Sequence, residues 1–298
     1  MTSKLADDPP QSPILPVQLG RDDKFKFHCH KGIACFNKCC ENIDILLTPY
    51  DIIRLKNHFG ITSREFIDRY TTDFALDAHG MPGLKLRTQQ NSAACINLTP
   101  AGCSVYEDRP AACRYYALGL VSMRKKDAPR DEDSYFVVKE DHCLGHYEPV
   151  TQTVGDYRRE QGVDVYDEIN REWRQIILKK RSSGPTVGRP SERSFELFFL
   201  ASYDIDGFRA FVASAGFDAV FDFDPACKLE LMTDEEKLLK FGFRLLKQVL
   251  FGEKTLALRP GAGLQRIARY QKRKALSSAG RAEELADAQD RTYESLGE

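Results

Sequence analysis

Four cysteines stand within twelve residues in the stretch CHKGIACFNKCC, and four more follow before residue 144. The eight are Cys29, Cys35, Cys39, Cys40, Cys95, Cys103, Cys113 and Cys143. An even distribution of the chain's nine cysteines would place roughly three or four between residues 29 and 143. Thiolates select zinc, copper(I) or iron–sulfur clusters over magnesium or calcium. The clustering therefore predicts that these eight cysteines bind a soft metal.

Disulfides are the main alternative explanation for the cysteines. The first twenty residues, MTSKLADDPPQSPILPVQLG, contain no apolar signal-peptide core, and no apolar stretch reaches the ~18 residues that a membrane span needs. We therefore expect a cytoplasmic protein without a membrane segment. A reducing cytosol disfavours disulfides, which favours metal binding by the thiols.

The spacing of the cysteines leaves the metal open. Structural zinc sites usually contain C-x2-C pairs, and this chain has none. Iron–sulfur clusters tolerate irregular spacing and use four thiolates each. Eight sulfurs are enough for one cluster with spare thiols or for two complete sites.

Four of the six histidines flank the cysteines, at His28, His30, His142 and His146. His146 stands three residues after Cys143, a spacing at which both side chains can bind one zinc ion. The alternative is that these histidines are polar surface residues or hydrogen-bond to the metal ligands.

The motif DRPAACRYY predicts a helix that begins at Pro110 and carries Cys113 in its first turns. The positive end of a helix dipole stabilises a thiolate there. Arg109 and Arg114 add positive charge beside an assembly that becomes negative when four thiolates bind. Arginine is also common at exposed helix ends. Both a role in balancing thiolate charge and a simple surface position therefore stay open for these two residues.

The rest of the pattern predicts a mainly α fold with a few short strands. Thr48 before Pro49, and Thr62 with Glu65, are typical helix starts. GLKLRT and SYFVVKE are typical of strands, and the alternation in FDAVFDFDP predicts a half-exposed strand more simply than an acidic pocket. The lone Cys227 is expected to be a small buried side chain.

Composition divides the chain into four parts. Thiols disappear after about residue 148, and amphipathic helical patterns such as DVYDEINREWRQIILKKR begin. The predicted parts are a disordered tail over residues 1–21, a cysteine-rich metal-binding domain over residues 22–148, a helical region over residues 149–258 and a charged tail with helical potential over residues 259–298.

The charge distribution argues against nucleic acid as a partner. The chain has 43 basic and 44 acidic residues, so no overall field attracts a polyanion. The basic run near the end is more simply a solvated helix face, because acidic residues follow it. The run consists of Arg259, Arg266, Arg269, Lys272, Arg273 and Lys274.

The motifs CFNKCC, LTPYDIIRL, CINLTPAGCSVYEDRPAACRYYAL and CLG together resemble the YkgJ-type cysteine-cluster proteins, a zinc- or iron-chelating domain. The resemblance covers about residues 27–148. It implies metal-binding roles for Cys35, Cys39, Cys40, Cys95, Cys103, Cys113 and Cys143, and for Cys29 at a wider spacing. This family is distantly similar to flagellin lysine N-methylase, whose cysteine-rich region is associated with an iron–sulfur cluster.

These observations predict a metal-binding protein that holds an iron–sulfur cluster, of the 4Fe-4S type, or zinc, in a redox, sensing or accessory role. The alternative that the resemblance implies is a protein N-methyltransferase that uses S-adenosylmethionine. No glycine-rich loop after a strand, of the kind that usually holds such a nucleotide, is visible in the sequence. The sequence assigns no catalytic residues and no protein partner.

Overall fold

The computed structural model describes residues 12–123, 132–182 and 190–262. Within these ranges the chain forms nine short strands and ten α-helices. The strands are β1 (Ile14–Leu19), β2 (Lys24–Lys26), β3 (Thr71–Ala75), β4 (Pro82–Leu86), β5 (Leu98–Thr99), β6 (Gly102–Cys103), β7 (Leu118–Met123), β8 (Glu132–Val138) and β9 (Thr151–Thr153). The helices are α1 (Pro49–Phe59), α2 (Ser63–Tyr70), α3 (Ala111–Tyr115), α4 (Val154–Gln161), α5 (Val163–Ser182), α6 (Glu192–Ser202), α7 (Ile205–Ala213), α8 (Ala215–Asp218), α9 (Pro225–Thr233) and α10 (Glu235–Phe251). The predicted mainly α fold with a few short strands is confirmed.

The two predicted helix starts are formed by local hydrogen bonds. The Thr48 side chain accepts from the Asp51 amide, and the Asp51 carboxylate accepts from the Thr48 amide. Thr62 and Glu65 make the same reciprocal pair at the start of α2. Each pair satisfies two N–H groups that a helix start leaves free. Gly60 ends α1 with a φ of 63°, a left-handed conformation that costs glycine little.

The strands of the described residues pair in small antiparallel sheets. β1, β8 and β7 form a three-stranded sheet in that order, while β2 pairs with β9, β3 with β4, and β5 with β6. Two of these pairs border the cysteine loops, because Cys29 follows β2 and Cys103 ends β6. The sheets thus fix the ends of loops that carry thiols.

The disordered tail predicted over residues 1–21 differs from the structure at its C-terminal part. Residues 1–11 lie outside the described ranges, but Ile14–Leu19 form β1. This strand pairs with β8, and Gln18 Nε2 donates to Ser134 Oγ at 2.5 Å. The partner is more than a hundred residues away in the chain, so local composition does not reveal the pairing.

One apolar core joins the cysteine-rich segment to the C-terminal helices. Leu55 on α1 and Phe66 on α2 are fully buried in the same cluster as Phe198 on α6. α10 approaches α6 closely at Gly242, where a Cβ atom would lie 3.1 Å from the Ala201 carbonyl oxygen. Each buried side chain of this size contributes about 1.5–3 kcal/mol to folding. The domain boundary at residue 148 stays a prediction, and residues on both sides of it share one core.

A second, smaller core lies under the three-stranded sheet. It contains Cys143, whereas Cys95 belongs to the large core. Its buried members are Phe25, Phe27, Ala117, Leu118, Tyr135, Cys143, Val154 and Tyr157. The thiol-bearing segments therefore contact both cores.

The strand predicted from FDAVFDFDP is wrong. These residues form the end of α8, an irregular connection and the start of α9. The Phe217 ring stacks on Phe221 at 4.6 Å between centroids and meets Phe241 edge-on at 5.9 Å. Asp224 caps α9, because its carboxylate accepts from the Ala226 amide at 2.7 Å. Aromatic packing and a helix cap explain a pattern that alternation alone suggests is extended.

Two remaining predictions concern membranes and the charged tail. Of the helices in the described ranges, none combines the length and the apolar character needed to cross a bilayer. From the basic run, only Arg259 is described, and its side chain donates to the Asp218 carbonyl at 2.6 Å. The other basic residues and most of the tail over residues 259–298 lie outside the described residues, so the exclusion of nucleic acid stays a prediction.

Candidate metal centre

The eight predicted ligands lie in loops, turns or short elements, and all nine cysteines of the chain are free thiols. Cys29 and Cys35 follow β2, Cys39 and Cys40 belong to a 3-10 helix (Lys38–Cys40), Cys95 precedes β5, Cys103 ends β6, Cys113 lies in α3 and Cys143 precedes a second 3-10 helix (Leu144–Tyr147). Pairwise disulfides therefore do not explain the clustering.

Backbone hydrogen bonds bring the remote cysteine segments together. The Cys95 amide donates to the Cys40 carbonyl at 2.8 Å, which joins the second cysteine loop to the first. The His28 amide donates to the Gly145 carbonyl at 3.0 Å, which joins the last cysteine segment to the same loop. Gly145 permits this approach, because a Cβ atom there would lie 2.7 Å from the Phe27 ring. Segments far apart in the chain thus meet at the loop after β2.

The adjacent residues Cys39 and Cys40 form the closest thiol pair. Their Sγ atoms lie 3.9 Å apart. The hydrogen bond from Cys40 lowers the pKa of Cys39 to about 7, although burial opposes this shift. The same bond, together with burial, raises the pKa of Cys40. The Cys39 thiol therefore loses its proton more readily than that of an ordinary cysteine, which favours binding of a cation.

A first thiol group consists of Cys29, Cys35 and Cys143. Burial raises the pKa of Cys29 to about 11, and the nearby thiolates of Cys39, Cys35 and Cys143 raise it further. The Leu144 amide donates to Cys35 Sγ at 3.2 Å. These interactions place the start and the end of the cysteine-rich segment side by side.

A second thiol group consists of Cys40, Cys95, Cys103 and Cys113. Burial raises the pKa of Cys113 strongly, and repulsion from Cys95 and Cys103 adds to the effect. Cys113 and Cys95 also raise the pKa of Cys40. The thiolate of Cys39 raises the pKa of members of both groups. Cys39 therefore interacts electrostatically with both thiol groups.

The structure does not bring the sulfurs to coordination distance of one another in threes. Among residues 12–123, 132–182 and 190–262, no three cysteines have all their Sγ atoms within 4.8 Å of one another. The donor set nevertheless fits a soft metal, because it consists of neighbouring thiols whose protons a cation can displace. The assignment of the eight cysteines as ligands stays a prediction.

The two arginines near Cys113 have different surroundings. Burial raises the pKa of both Cys29 and Cys103, and the buried Arg109 guanidinium opposes the rise at each, so its charge acts on both thiol groups. Arg114 is buried as well, but its guanidinium donates to the Arg109 and Gln161 carbonyls at 3.0 and 2.7 Å. The predicted electrostatic role fits Arg109, whereas Arg114 holds the backbone around α3.

Tyr116 supports the last cysteine. Burial raises the pKa of Cys143, and the neighbouring Tyr116 hydroxyl opposes that shift. The hydroxyl proton of Tyr116 itself goes to Glu140 Oε2 at 2.6 Å. Tyr116 thus connects Glu140 to the surroundings of Cys143.

His146 does not fit the zinc role considered for it. The side chain is buried, and its Nε2 lies 3.0 Å from the Val138 carbonyl oxygen. Burial lowers the pKa of His146, while the neighbouring backbone of Val138 and Lys26 opposes that shift. Its polar atoms serve the backbone of β2 and β8, which supports the alternative that His146 is a structural polar residue.

Asp51 is a buried residue whose link to the site the sequence does not reveal. Burial raises its pKa to about 6, although hydrogen bonds from Thr48 and Ala111 oppose the shift. The Ala111 amide, at the start of α3, donates to Asp51 Oδ1 at 2.9 Å. Asp51 also raises the pKa of Cys113. Its place three residues after Thr48 gives it a role in the capping box of α1, and its second role at α3 depends on tertiary packing.

Glu148 is the other residue that the sequence does not single out. Its Oε2 lies 3.4 Å from His30 Nε2, and it forms a group with His28 and His30. Nothing local marks it, because the two histidines lie more than a hundred residues earlier.

Cys227, expected to be buried, is exposed. It lies in the first turn of α9, where its amide donates to Asp224 Oδ1 at 3.2 Å. Its position beside a helix cap at the surface explains why packing does not enclose it.

Comparison with known proteins shows that the cysteine-rich segment is similar to one family. Residues 28–144 match the CxxCxxCC family, which is described as "Putative zinc- or iron-chelating domain". The match includes all eight clustered cysteines and supports metal binding. No curated protein and no solved structure matches the chain. The similarity to flagellin lysine N-methylase is not confirmed and stays a prediction.

Proposed function

We propose that residues 28–144 bind iron as an iron–sulfur cluster of the 4Fe-4S type, with zinc as the alternative metal. The observation that carries this proposal is the meeting of remote cysteine segments, since the Cys95 amide donates to the Cys40 carbonyl at 2.8 Å and the Leu144 amide donates to Cys35 Sγ at 3.2 Å. The match to a zinc- or iron-chelating domain supports it. The irregular cysteine spacing and the number of thiols favour iron over a single zinc ion.

The second thiol group has the composition that one cluster needs. Its members, Cys40, Cys95, Cys103 and Cys113, supply four thiolates, the usual number for a cluster or a zinc ion. Cys95 is buried in the large apolar core, and Cys40 and Cys103 pack against that core. A dry environment of this kind restricts solvent access, which affects redox potential.

The first thiol group reaches the same number when Cys39 is included with Cys29, Cys35 and Cys143. Cys29 and Cys39 are exposed, in contrast to the buried Cys95 of the second group. The first group is therefore the part of the centre that solvent and oxidants reach. This difference supports a sensing or redox role over a purely structural one.

The surrounding residues tune the charge of the centre. Four thiolates carry excess negative charge, and the buried Arg109 guanidinium offsets it near both groups. Backbone amides donate to sulfur at Cys35, from Leu144 at 3.2 Å, and at Cys95, from Asn97 at 3.4 Å. Hydrogen bonds to sulfur shift the potential of an iron–sulfur cluster. A cluster bound here would supply one-electron transfer.

Anaerobic purification with metal and sulfide analysis tests the proposal. We expect brown protein with absorbance near ~400 nm and matching amounts of iron and sulfide. Cys95→Ser and Cys113→Ser are expected to lose most of that absorbance, whereas the exposed Cys227→Ser serves as the matched control and retains it. Colourless protein that contains zinc alone would show that the bound metal is zinc and not iron. Protein without either metal would refute the proposal.

The methyltransferase alternative rests on resemblance alone. A ligand that binds the native state raises its melting temperature. An unchanged melting temperature at saturating S-adenosylmethionine would remove this alternative, and a clear rise would support it.

A further inference from the structure

The segment that carries Cys29 also presents donors of another kind. Burial raises the pKa of Cys29, and the nearby Cys39, Cys35 and Cys143 raise it further. The flanking residues His28 and His30 meet Glu148 instead. Side chains alternate along extended chain, which places residues 28 and 30 on the same side and residue 29 on the other.

The three side chains converge tightly. One ligand atom from each of His28, His30 and Glu148 lies within 4.8 Å of the other two. The two imidazole rings stack with centroids 5.0 Å apart, and His30 Nε2 lies 3.4 Å from Glu148 Oε2. Within the described residues this is the only group of three histidine, cysteine, aspartate or glutamate side chains with such closeness.

Backbone hydrogen bonds on both sides of Glu148 hold the two segments in register. The His28 amide donates to the Gly145 carbonyl at 3.0 Å, and the Phe27 amide donates to the Val150 carbonyl at 3.3 Å. β2 and β9 pair immediately beyond, which extends the contact. The approach of the donors is therefore set by the fold, which reduces the cost of ordering them around an ion.

We propose that His28, His30 and Glu148 form a second metal site, for a divalent first-row transition ion such as zinc or iron(II). Two imidazoles and one carboxylate are borderline to hard donors, unlike the thiols. Three protein ligands leave positions open for water or a small ligand, as in catalytic zinc and non-haem iron sites. His30 and Glu148 side chains are 40% and 32% exposed, so that a ligand can reach those positions.

One existing hydrogen bond must change when the ion binds. The Gly32 amide donates to His30 Nδ1 at 3.2 Å, which leaves the proton of a neutral ring on Nε2, facing Glu148. When Nε2 binds a metal, Nδ1 takes the proton and the Gly32 bond is lost. Metal binding is therefore expected to move the backbone amide resonance of Gly32, a local signature of this site.

A cobalt titration of the full chain, purified anaerobically with its thiol metal in place, tests the proposal. Cobalt(II) bound by nitrogen and oxygen shows visible d–d bands, whereas thiolate coordination adds an intense near-ultraviolet charge-transfer band. We expect one equivalent of cobalt to bind with d–d bands alone and with iron, sulfide and zinc contents unchanged. The test is independent of the proposed function, because the two donor sets have different spectra.

Variants locate the bound cobalt. Glu148→Gln and His30→Ala are expected to weaken cobalt binding by at least about tenfold, the lower bound known for groups that only support a ligand. His79→Ala is the matched control, since His79 is an exposed histidine on the turn between β3 and β4. Equal binding by Glu148→Gln and the unchanged protein would overturn the proposal. A charge-transfer band on addition of cobalt would do the same.

Discussion

The cysteine loops and the C-terminal helices are held together by different forces. Phe198 and Phe208 are fully buried in the large core, so the helices are stabilised by apolar burial. The 3-10 helix that carries Cys39 and Cys40 has no buried residue, and the loops around it depend on backbone hydrogen bonds such as that from Cys95. The comparison predicts that bound metal contributes more to fixing the loops than to fixing the helices, which share the large core with α1 and α2.

Removal of the metal is expected to have the largest effect on local stability. It should affect the cysteine loops and leave the C-terminal helices protected. A chelator should raise amide exchange at residues 28–47 and 93–113 by about a hundredfold, because local opening then costs little free energy. α5 and α10 should keep their protection, since most of the side chains that they bury in the large core are apolar, although Cys95 belongs to the same core. Hydrogen exchange read by mass spectrometry measures both. Equal loss of protection in α5 and in the loops would contradict the comparison.

Truncation of a shared core residue is expected to have the next largest effect. It should destabilise the cysteine loops and the C-terminal helices together. Phe198→Ala should lower the free energy of unfolding by about 3–5 kcal/mol. Because α1 and α2 share this core, helical circular dichroism and the absorbance of the metal centre should be lost together on denaturant titration. Leu229→Ala, at a side chain that is 67% exposed, serves as the control and should change stability by less than about 0.5 kcal/mol. Two separate transitions in the variant would contradict a common core.

Ionisation of Asp51 makes the stability of the cysteine-rich segment depend on pH. Its pKa rises from 3.8 to about 6 on burial, so the folded state holds the proton more tightly than the unfolded chain. The stability that protonated Asp51 contributes is complete below pH 3.8 and is lost as pH rises through 6, which amounts to about 3 kcal/mol.

The variant Asp51→Asn has no ionisable group at this position, so its stability lacks this pH dependence. We expect the free energy of unfolding of the unchanged protein, relative to the variant, to fall by about 3 kcal/mol between pH 4 and pH 7. Denaturant titrations at both pH values, on protein of constant metal content, measure the difference. A difference that does not vary with pH would show that Asp51 stays ionised in the fold.

Helix caps are expected to have the smallest effect and the same effect in both regions. Thr62 accepts from the Glu65 amide at 3.2 Å, and Ser191 accepts from the Ser194 amide at the same distance. Thr62→Ala and Ser191→Ala should each cost about 1 kcal/mol, because a cap is a local interaction. Thermal unfolding with metal analysis should show unchanged metal content in both variants. Metal loss in Thr62→Ala alone would show that α2 positions the thiols.

The parts of the fold that the sequence predicts are those that short-range chemistry determines. Thr48, Gly60 and Thr62 with Glu65 lie within a few residues of the groups that they bond, so their roles are readable. The same holds for the cysteine cluster as a metal-binding signal, because thiol density is a property of the sequence itself.

The parts that the sequence does not predict depend on residues distant in the chain. β1 requires β8 as its partner, and Glu148 meets His30 only because the backbone at Gly145 lies against His28. The alternation in FDAVFDFDP is misleading, since Phe217 and Phe221 stack on each other within one turn region. In each case the deciding contact is made by tertiary packing, which periodicity does not contain.

The double use of Asp51 has a mechanical consequence. Its carboxylate accepts from the Thr48 amide at the start of α1 and from the Ala111 amide at the start of α3. One side chain therefore connects the first turns of two helices. Rotation of α3 about its axis would move the sulfur of Cys113. It would also displace Asp51 and the first turn of α1, because Asp51 is hydrogen-bonded to both helices. The rotational freedom of that sulfur is thus limited by a helix that contains no cysteine.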